Sequence, residues 1–95
     1  MTQPLAIGLL GCGNISDEYM QNLPAFANWV QVTACADQTA ARAQALAQRH
    51  QITALSPEAL LADPTLDIIL NLTPPAAHFA TTLAALQAGK HVYCE

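Results

Sequence analysis

A chain of 95 residues, 53% hydrophobic and 11% charged, can bury one modest core and is too apolar to remain disordered. Its net charge of −4, with Arg42, Arg49 and Lys90 as the whole lysine and arginine complement, excludes a surface that tracks a nucleic-acid backbone. No apolar run approaches the ~20 residues that span a bilayer. Met1-Thr2-Gln3-Pro4 also lacks the positive start of a secretory signal, so a cytoplasmic protein is expected. So little charge leaves surface for a partner domain or a second copy, and a homo-oligomer is expected.

Leu5 to Leu10 is a continuous apolar run ending in glycine, the pattern of a strand buried on both faces. After it, Ile15, Tyr19, Met20, Leu23, Phe26 and Ala27 recur at helical spacing, with Pro24 expected to kink or end the helix near Leu23. Val30 to Ala36 reads as a second strand closed by Asp37. Residues 39–50 are alanine-rich and helix-forming, with Ala40, Ala43, Leu46 and Ala47 as a narrow apolar stripe. Ile52 to Leu55 is a short third strand. Ser56-Pro57-Glu58 is a helix start, with an N-cap serine, a first-turn proline and an acid, and Asp63-Pro64 ends that helix. Ile68-Ile69-Leu70 marks a fourth buried strand. A helix over His78 to Ala88 is expected to bury Phe79, Leu83 and Leu86, with Gly89 as a left-handed C-cap. His91 to Cys94 is a fifth strand.

Strand and helix alternate without a hairpin signal, which implies parallel strands joined by right-handed crossovers. The expected fold is α/β, a doubly wound parallel Rossmann sheet ordered 3-2-1-4-5 and lacking the sixth strand of the usual dinucleotide fold. Residues 1–95 then make one incomplete dinucleotide-binding domain.

Gly11-Cys12-Gly13-Asn14-Ile15-Ser16 is a Gly-x-Gly-x-x-small pattern directly after a strand and opening a helix, the context a dinucleotide fingerprint requires. Gly11 permits the tight turn, Gly13 lets the backbone approach a pyrophosphate, and Ser16 is small enough for close helix packing. The amides at Asn14 and Ile15 then face the phosphates. Asp37 lies 26 positions after Gly11, somewhat beyond the ~20 of the fingerprint. At the end of the second strand its carboxylate is placed to accept ribose hydroxyls and to repel a 2′-phosphate, which favours NAD over NADP. The plain alternative is a strand-end aspartate capping the next helix. Arg42, one turn into that helix, could meet a 2′-phosphate but reads better as a solvent-facing residue. Thr73, Pro74 and His78 follow the fourth strand, beside the first, where ligands of open α/β sheets bind.

Other groups read as structural. Cys12, Cys35 and Cys94 show no Cys-x-x-Cys pairing and suggest neither disulfide nor zinc. They are expected to be small buried hydrophobes; a thiol at a helix N-terminus can ionise more readily, but nothing else marks Cys12 as reactive. His50, His78 and His91 have no i, i+4 pairing, so no metal site follows. Lys90 and His91 enter the fifth strand at the edge opposite the ligand. The sequons at Asn14 and Asn71 fall inside the expected crevice and are coincidental.

Taken in order, the glycine turn, Asp37, Thr73-Pro74-Pro75 with His78, and Ala88-Gly89-Lys90-His91-Val92-Tyr93-Cys94-Glu95 resemble the front of a Gfo/Idh/MocA-type NAD(P)-dependent oxidoreductase. The resemblance covers essentially all 95 residues. It implies hydride exchange between NAD(P) and a secondary alcohol of a sugar, inositol or diol. It implies that Thr73 and Pro74 line the diphosphate and nicotinamide ribose, with His78 nearby, and that Glu95 contacts the nicotinamide ribose or orients the lysine that follows it in the family. That lysine assists proton transfer and a C-terminal domain binds the polyol or sugar-like substrate, so no catalytic residue is expected within this chain, which alone should be inactive. Pro75 departs from the asparagine common in the family, and no side-chain bond is carried to that position. The rival readings are a non-catalytic dinucleotide-sensing member of the same fold and another Rossmann dehydrogenase, against which Thr73-Pro74 and Gly89-Lys90-His91 count.

Overall fold

Leu5–Leu10 forms the central strand, β1, of a five-stranded sheet. The computed structural model describes residues 3–94. From β1 the chain runs through helix α1 (Asn14–Asn22), a 3-10 turn (Leu23–Phe26), β2 (Val30–Ala36), α2 (Ala40–His50), β3 (Thr53–Leu55), α3 (Pro57–Ala62), β4 (Ile68–Asn71), α4 (Pro75–Gln87) and β5 (His91–Cys94). All strand pairs are parallel, in the order β3-β2-β1-β4-β5. The alternation of strand and helix had implied this order, because each crossover must return to the sheet with the same hand.

Alternate side chains of each strand feed two cores, one on either face. On one side Ile7, Leu9, Cys35 and Leu70 pack with Met20 of α1 and with Ala43, Leu46 and Ala47 of α2. On the other, Leu10, Ala34, Ala36 and Ile69 pack with Leu60 of α3, Leu66 and Ala85 of α4. The sheet is therefore wound on both faces. Among the described residues no helix is long and apolar enough to cross a membrane.

Local chemistry sets most boundaries. Pro24 cannot continue the α-helical ladder, so α1 stops at Asn22 and gives way to the 3-10 turn. The Ser56 hydroxyl accepts the Ala59 amide at 3.1 Å and caps α3, with Pro57 in its first turn. The helix α4 ends in a Schellman closure at Gly89, φ +80°, where the Gly89 and Lys90 amides return to the carbonyls of Leu86 and Ala85. Lys90 Nζ then donates to the carbonyls of Asp63 (2.5 Å) and Leu66 (2.8 Å), tying the entry of β5 to the segment before β4.

Four expectations about burial are corrected. Phe79, Leu83 and Leu86 are 79%, 43% and 55% exposed rather than buried. The helix α4 starts at Pro75, earlier than His78, and meets the sheet through Ala85, fully buried, with its bulky residues turned outward. Small side chains let the helix lie close, and α4 is apolar on more than one face, so spacing alone could not say which face packs. Ala40, expected in the α2 stripe, is exposed, and so are Phe26 and Ala27, because the 3-10 turn breaks the α-helical phase. Cys94, expected to be buried, is exposed as well.

Candidate functional site

The two glycines of the β1–α1 turn do different work. Gly11 takes φ +105°, and a Cβ built on it would stand 2.7 Å from the backbone C and O of Leu72 and 2.9 Å from Thr73 N. Only glycine lets this turn pass so close to the end of β4. Gly13 has an ordinary extended backbone (φ −83°, ψ −160°), and its added Cβ would meet nothing within 4 Å. It faces open space at the N-terminus of α1, which no side chain caps. Uncapped amides beside an open approach are an arrangement that favours an anion. Ser16 is fully buried and its hydroxyl donates to the Gly13 carbonyl at 2.5 Å, holding the turn against the first coil of the helix. Asn14 opens α1, and Ile15 packs its half-buried side chain on the core, which leaves its backbone amide as the group Ile15 can offer. The side chain of Asn14 and all of Glu95 lie outside the described residues.

Asp37 closes β2 beside this turn. One carboxylate oxygen accepts the Cys12 amide and the other accepts the Thr39 amide, each at 2.7 Å. The second bond reaches only Thr39, the residue before α2, so the plain alternative of an aspartate capping that helix is approached but not met. The first was not foreseen, and it ties the acid directly into the glycine turn. Half-buried and already paired with two amides, Asp37 still has lone pairs to offer.

A crevice of about 400 Å³ opens between these elements, at the C-terminal ends of β1, β2 and β4. Gly11, Asp37, Arg42, Pro57, Thr73 and Pro74 are among its lining residues. Arg42 is exposed, as expected, yet it stands on the crevice rim. Ala76, Ala77 and Thr81 of α4 form the far wall, whereas half-buried His78 is not among the lining residues. Its carbonyl accepts a bond from Asn71 at 3.3 Å, so its clearest role in the structure is at the backbone. Pro57 and Thr81 were missed from sequence because each lies far along the chain from the glycine turn. Gln38 and Thr39 had a signal, since they directly follow Asp37. A second hollow of about 380 Å³ at the other end of the sheet, near Val30 and Ile52, contains none of the fingerprint residues.

The thiol of Cys12, buried under the turn, is pushed well up by its hydrogen bond to Cys35, then by burial. The helix N-terminus therefore does not make it a ready thiolate, and all three cysteines are free. Lys90 and His91 lie away from the crevice, as expected; Lys90 is spent on the two carbonyls described above.

Residues 5–95 match the model of an oxidoreductase family with an NAD-binding Rossmann fold, the Gfo/Idh/MocA family. The chain is 30% identical over 96 residues to a D-glucoside 3-dehydrogenase of Escherichia coli, covering 99% of this chain and 27% of the relative. It is 32% identical over 91 residues to an inositol 2-dehydrogenase of Acidothermus cellulolyticus, covering 94% and 27%. Among solved structures it superposes on KijD10, a 3-ketoreductase of Actinomadura kijaniata in complex with NADP and TDP-benzene. That match has a TM-score of 0.88 and 29% identity over 97% of this chain and 29% of the other. The chain thus spans little more than a quarter of the length of the relatives it matches.

Proposed function

Because the chain belongs to the Gfo/Idh/MocA oxidoreductase family, we propose that it is the dinucleotide-binding part of an enzyme that oxidises a secondary alcohol of a sugar, inositol or diol, or runs the reverse reduction. The observation that carries this reading is the pairing of an open approach at Gly13 with the uncapped N-terminus of α1, in the same turn as Gly11, which lines the crevice. A pyrophosphate fits there: it needs amide donors, a positive dipole end and no side chain in the way. When bound, the nicotinamide ring supplies the hydride acceptor or donor. The chain's own residues bind and orient. The amides of Asn14 and Ile15 hold phosphate oxygens, Asp37 accepts the adenosine ribose hydroxyls, and Thr73 and Pro74 wall the passage toward the nicotinamide half. By the family resemblance Glu95 is assigned to that half as well, and His78 is retained as a neighbour of it.

NAD is the favoured cofactor in this reading, since the Asp37 carboxylate repels a 2′-phosphate. Arg42 on the rim softens that preference and leaves NADP the weaker ligand. A polyol or sugar-like substrate, a homo-oligomer and a cytoplasmic setting complete the proposal. The exposed Phe79, Leu83 and Leu86 support assembly, and the free cysteines suit a reducing compartment.

Titration calorimetry with NAD+ and NADP+ tests the cofactor reading, alongside Gly13→Val. The wild-type chain should bind NAD+ more tightly, and the variant should bind neither while keeping its far-UV circular dichroism. Retained affinity in Gly13→Val would reduce the glycine turn to a structural feature.

A further inference from the structure

We propose that Asn71 is a positioning residue that locks the Thr73 hydroxyl as a hydrogen-bond acceptor toward the crevice, and so fits it to the hydroxyl- and amide-bearing nicotinamide half of the cofactor rather than to phosphate. The inference rests on the dinucleotide reading above and adds to it a residue and a polarity.

Asn71 ends β4 after three apolar residues and is fully buried. A buried amide is tolerated when its donors and acceptors are all used, and here they are. Its Oδ1 accepts from the Thr73 amide (3.1 Å) and from the Thr73 hydroxyl (2.6 Å). Its Nδ2 donates to Thr82 Oγ1 (3.0 Å) and to the His78 carbonyl (3.3 Å) on α4. The direction of the amide is unambiguous, because a backbone N–H only donates and a backbone carbonyl only accepts. Thr82 Oγ1 is in turn 2.9 Å from Cys94 Sγ at the end of β5. One side chain therefore joins the turn after β4, the first coils of α4 and the tip of β5.

The consequence falls on Thr73, which lines the crevice. A hydroxyl carries one proton, and that proton is committed to Asn71. The Thr73 amide is committed to the same oxygen. Toward the crevice Thr73 therefore offers lone pairs and no donor. Phosphate oxygens require donors, so they gain nothing from this side chain. Ribose hydroxyls and a carboxamide NH2 have protons to give. Asp37, across β1 on β2, takes the adenosine ribose in the reading above; Thr73, on the β5 side, is left to the other nucleoside.

The test is calorimetric titration of NAD+ and of ADP, which lacks the second nucleoside, into the wild-type chain and into Thr73→Val, Thr73→Ser, Asn71→Ala and the Asn71→Ala/Thr73→Val double variant. Thr73→Val should weaken NAD+ roughly fivefold, the worth of one neutral hydrogen bond, and leave ADP unchanged, while Thr73→Ser keeps both affinities. Asn71→Ala should reproduce the selective loss, and the double variant should lose no more selectivity than either single one, since Asn71 acts through Thr73. A purely structural asparagine would lower stability without changing the ratio of the two affinities. If Asn71→Ala does not fold, the Thr73 pair still decides the polarity. Equal weakening of NAD+ and ADP by Thr73→Val, or no change in either, overturns the proposal while the crevice reading stands. A wild-type chain that binds neither ligand overturns both.

Discussion

Replacing Gly11 by alanine should cost far more stability than the same change at Gly13, although both belong to one fingerprint. At Gly11 two penalties add. An L-residue at φ +105° carries strain of about 1–3 kcal/mol. Its Cβ would also lie 2.7 Å from Leu72 C and O, well inside the ~3.5–4.0 Å of a normal contact. Those atoms are backbone, so relief requires prising the end of β4 from β1, an overpacking cost of about 1–3 kcal/mol. Together this is about 2–6 kcal/mol, against a total stability of about 5–14 kcal/mol for a chain of this length. At ~4–8 °C per kcal/mol for a small domain, Gly11→Ala should melt at least about 8 °C below wild type. Gly13→Ala has a permitted backbone and open space; it forfeits only the N-cap preference of glycine, about 1 kcal/mol or less. Thermal melts by far-UV circular dichroism, backed by urea titration, make the comparison. A Gly11→Ala variant melting within a few degrees of wild type, or a Gly13→Ala variant equally destabilised, would refute the division of labour between the two glycines.

Asp37→Ser should narrow the preference for NAD+ over NADP+. Because Asp37 also holds the Cys12 and Thr39 amides, both affinities should fall, and the ratio of dissociation constants is the readout; an unchanged ratio removes Asp37 from cofactor selection. Lys90→Met strips a charged donor from the carbonyls of Asp63 and Leu66 and should lower stability by about 1–3 kcal/mol without altering NAD+ affinity. An affinity loss at unchanged melting temperature would put Lys90 in the site instead. The Thr65 hydroxyl and amide hold the Asp63 carboxyl below its ordinary value of 3.8. Its contribution to stability is therefore complete above that value and lost as pH falls through the depressed folded one. Urea midpoints below pH 3.8 should drop more steeply for wild type than for Asp63→Asn, which keeps the oxygen facing Thr65 but cannot titrate; parallel curves would contradict the assignment.

What could be read from the chain was whatever depends on neighbours in sequence. The limits of β1 and β2 followed from apolar runs closed by Gly11 and Asp37, and the Ser56-Pro57 start and Gly89 stop followed from capping chemistry. The crevice followed from topology, since strand ends and the turns after them must share one edge of a parallel sheet. The face of α4 did not follow: Phe79, Leu83 and Leu86 share a helical stripe, but so do the small residues around Ala85, and only tertiary packing chooses between them. Asn71 was passed over for the same reason. Within an apolar strand an asparagine looks like an interruption, and its role becomes visible only when Thr73, His78 and Thr82 converge on it.

The central place of β1 also bears on how the molecule assembles. Leu5 pairs with Val30, but Ile7 also pairs with Ile68, so one neighbour of β1 arrives after a short crossover and the other only after a much longer stretch of chain. Loop closure grows costlier with separation, and distant pairings slow folding. The β1-α1-β2 unit should therefore form before β4 docks. Asp37 and the glycine turn lie within that early unit, while Thr73 arrives with β4, so the crevice is complete only once β4 has docked. A ligand reaching from the turn to Thr73 would bind the finished fold and not its precursor. It would add RT ln(1 + [L]/Kd) to stability by favouring the state in which β4 is docked on β1.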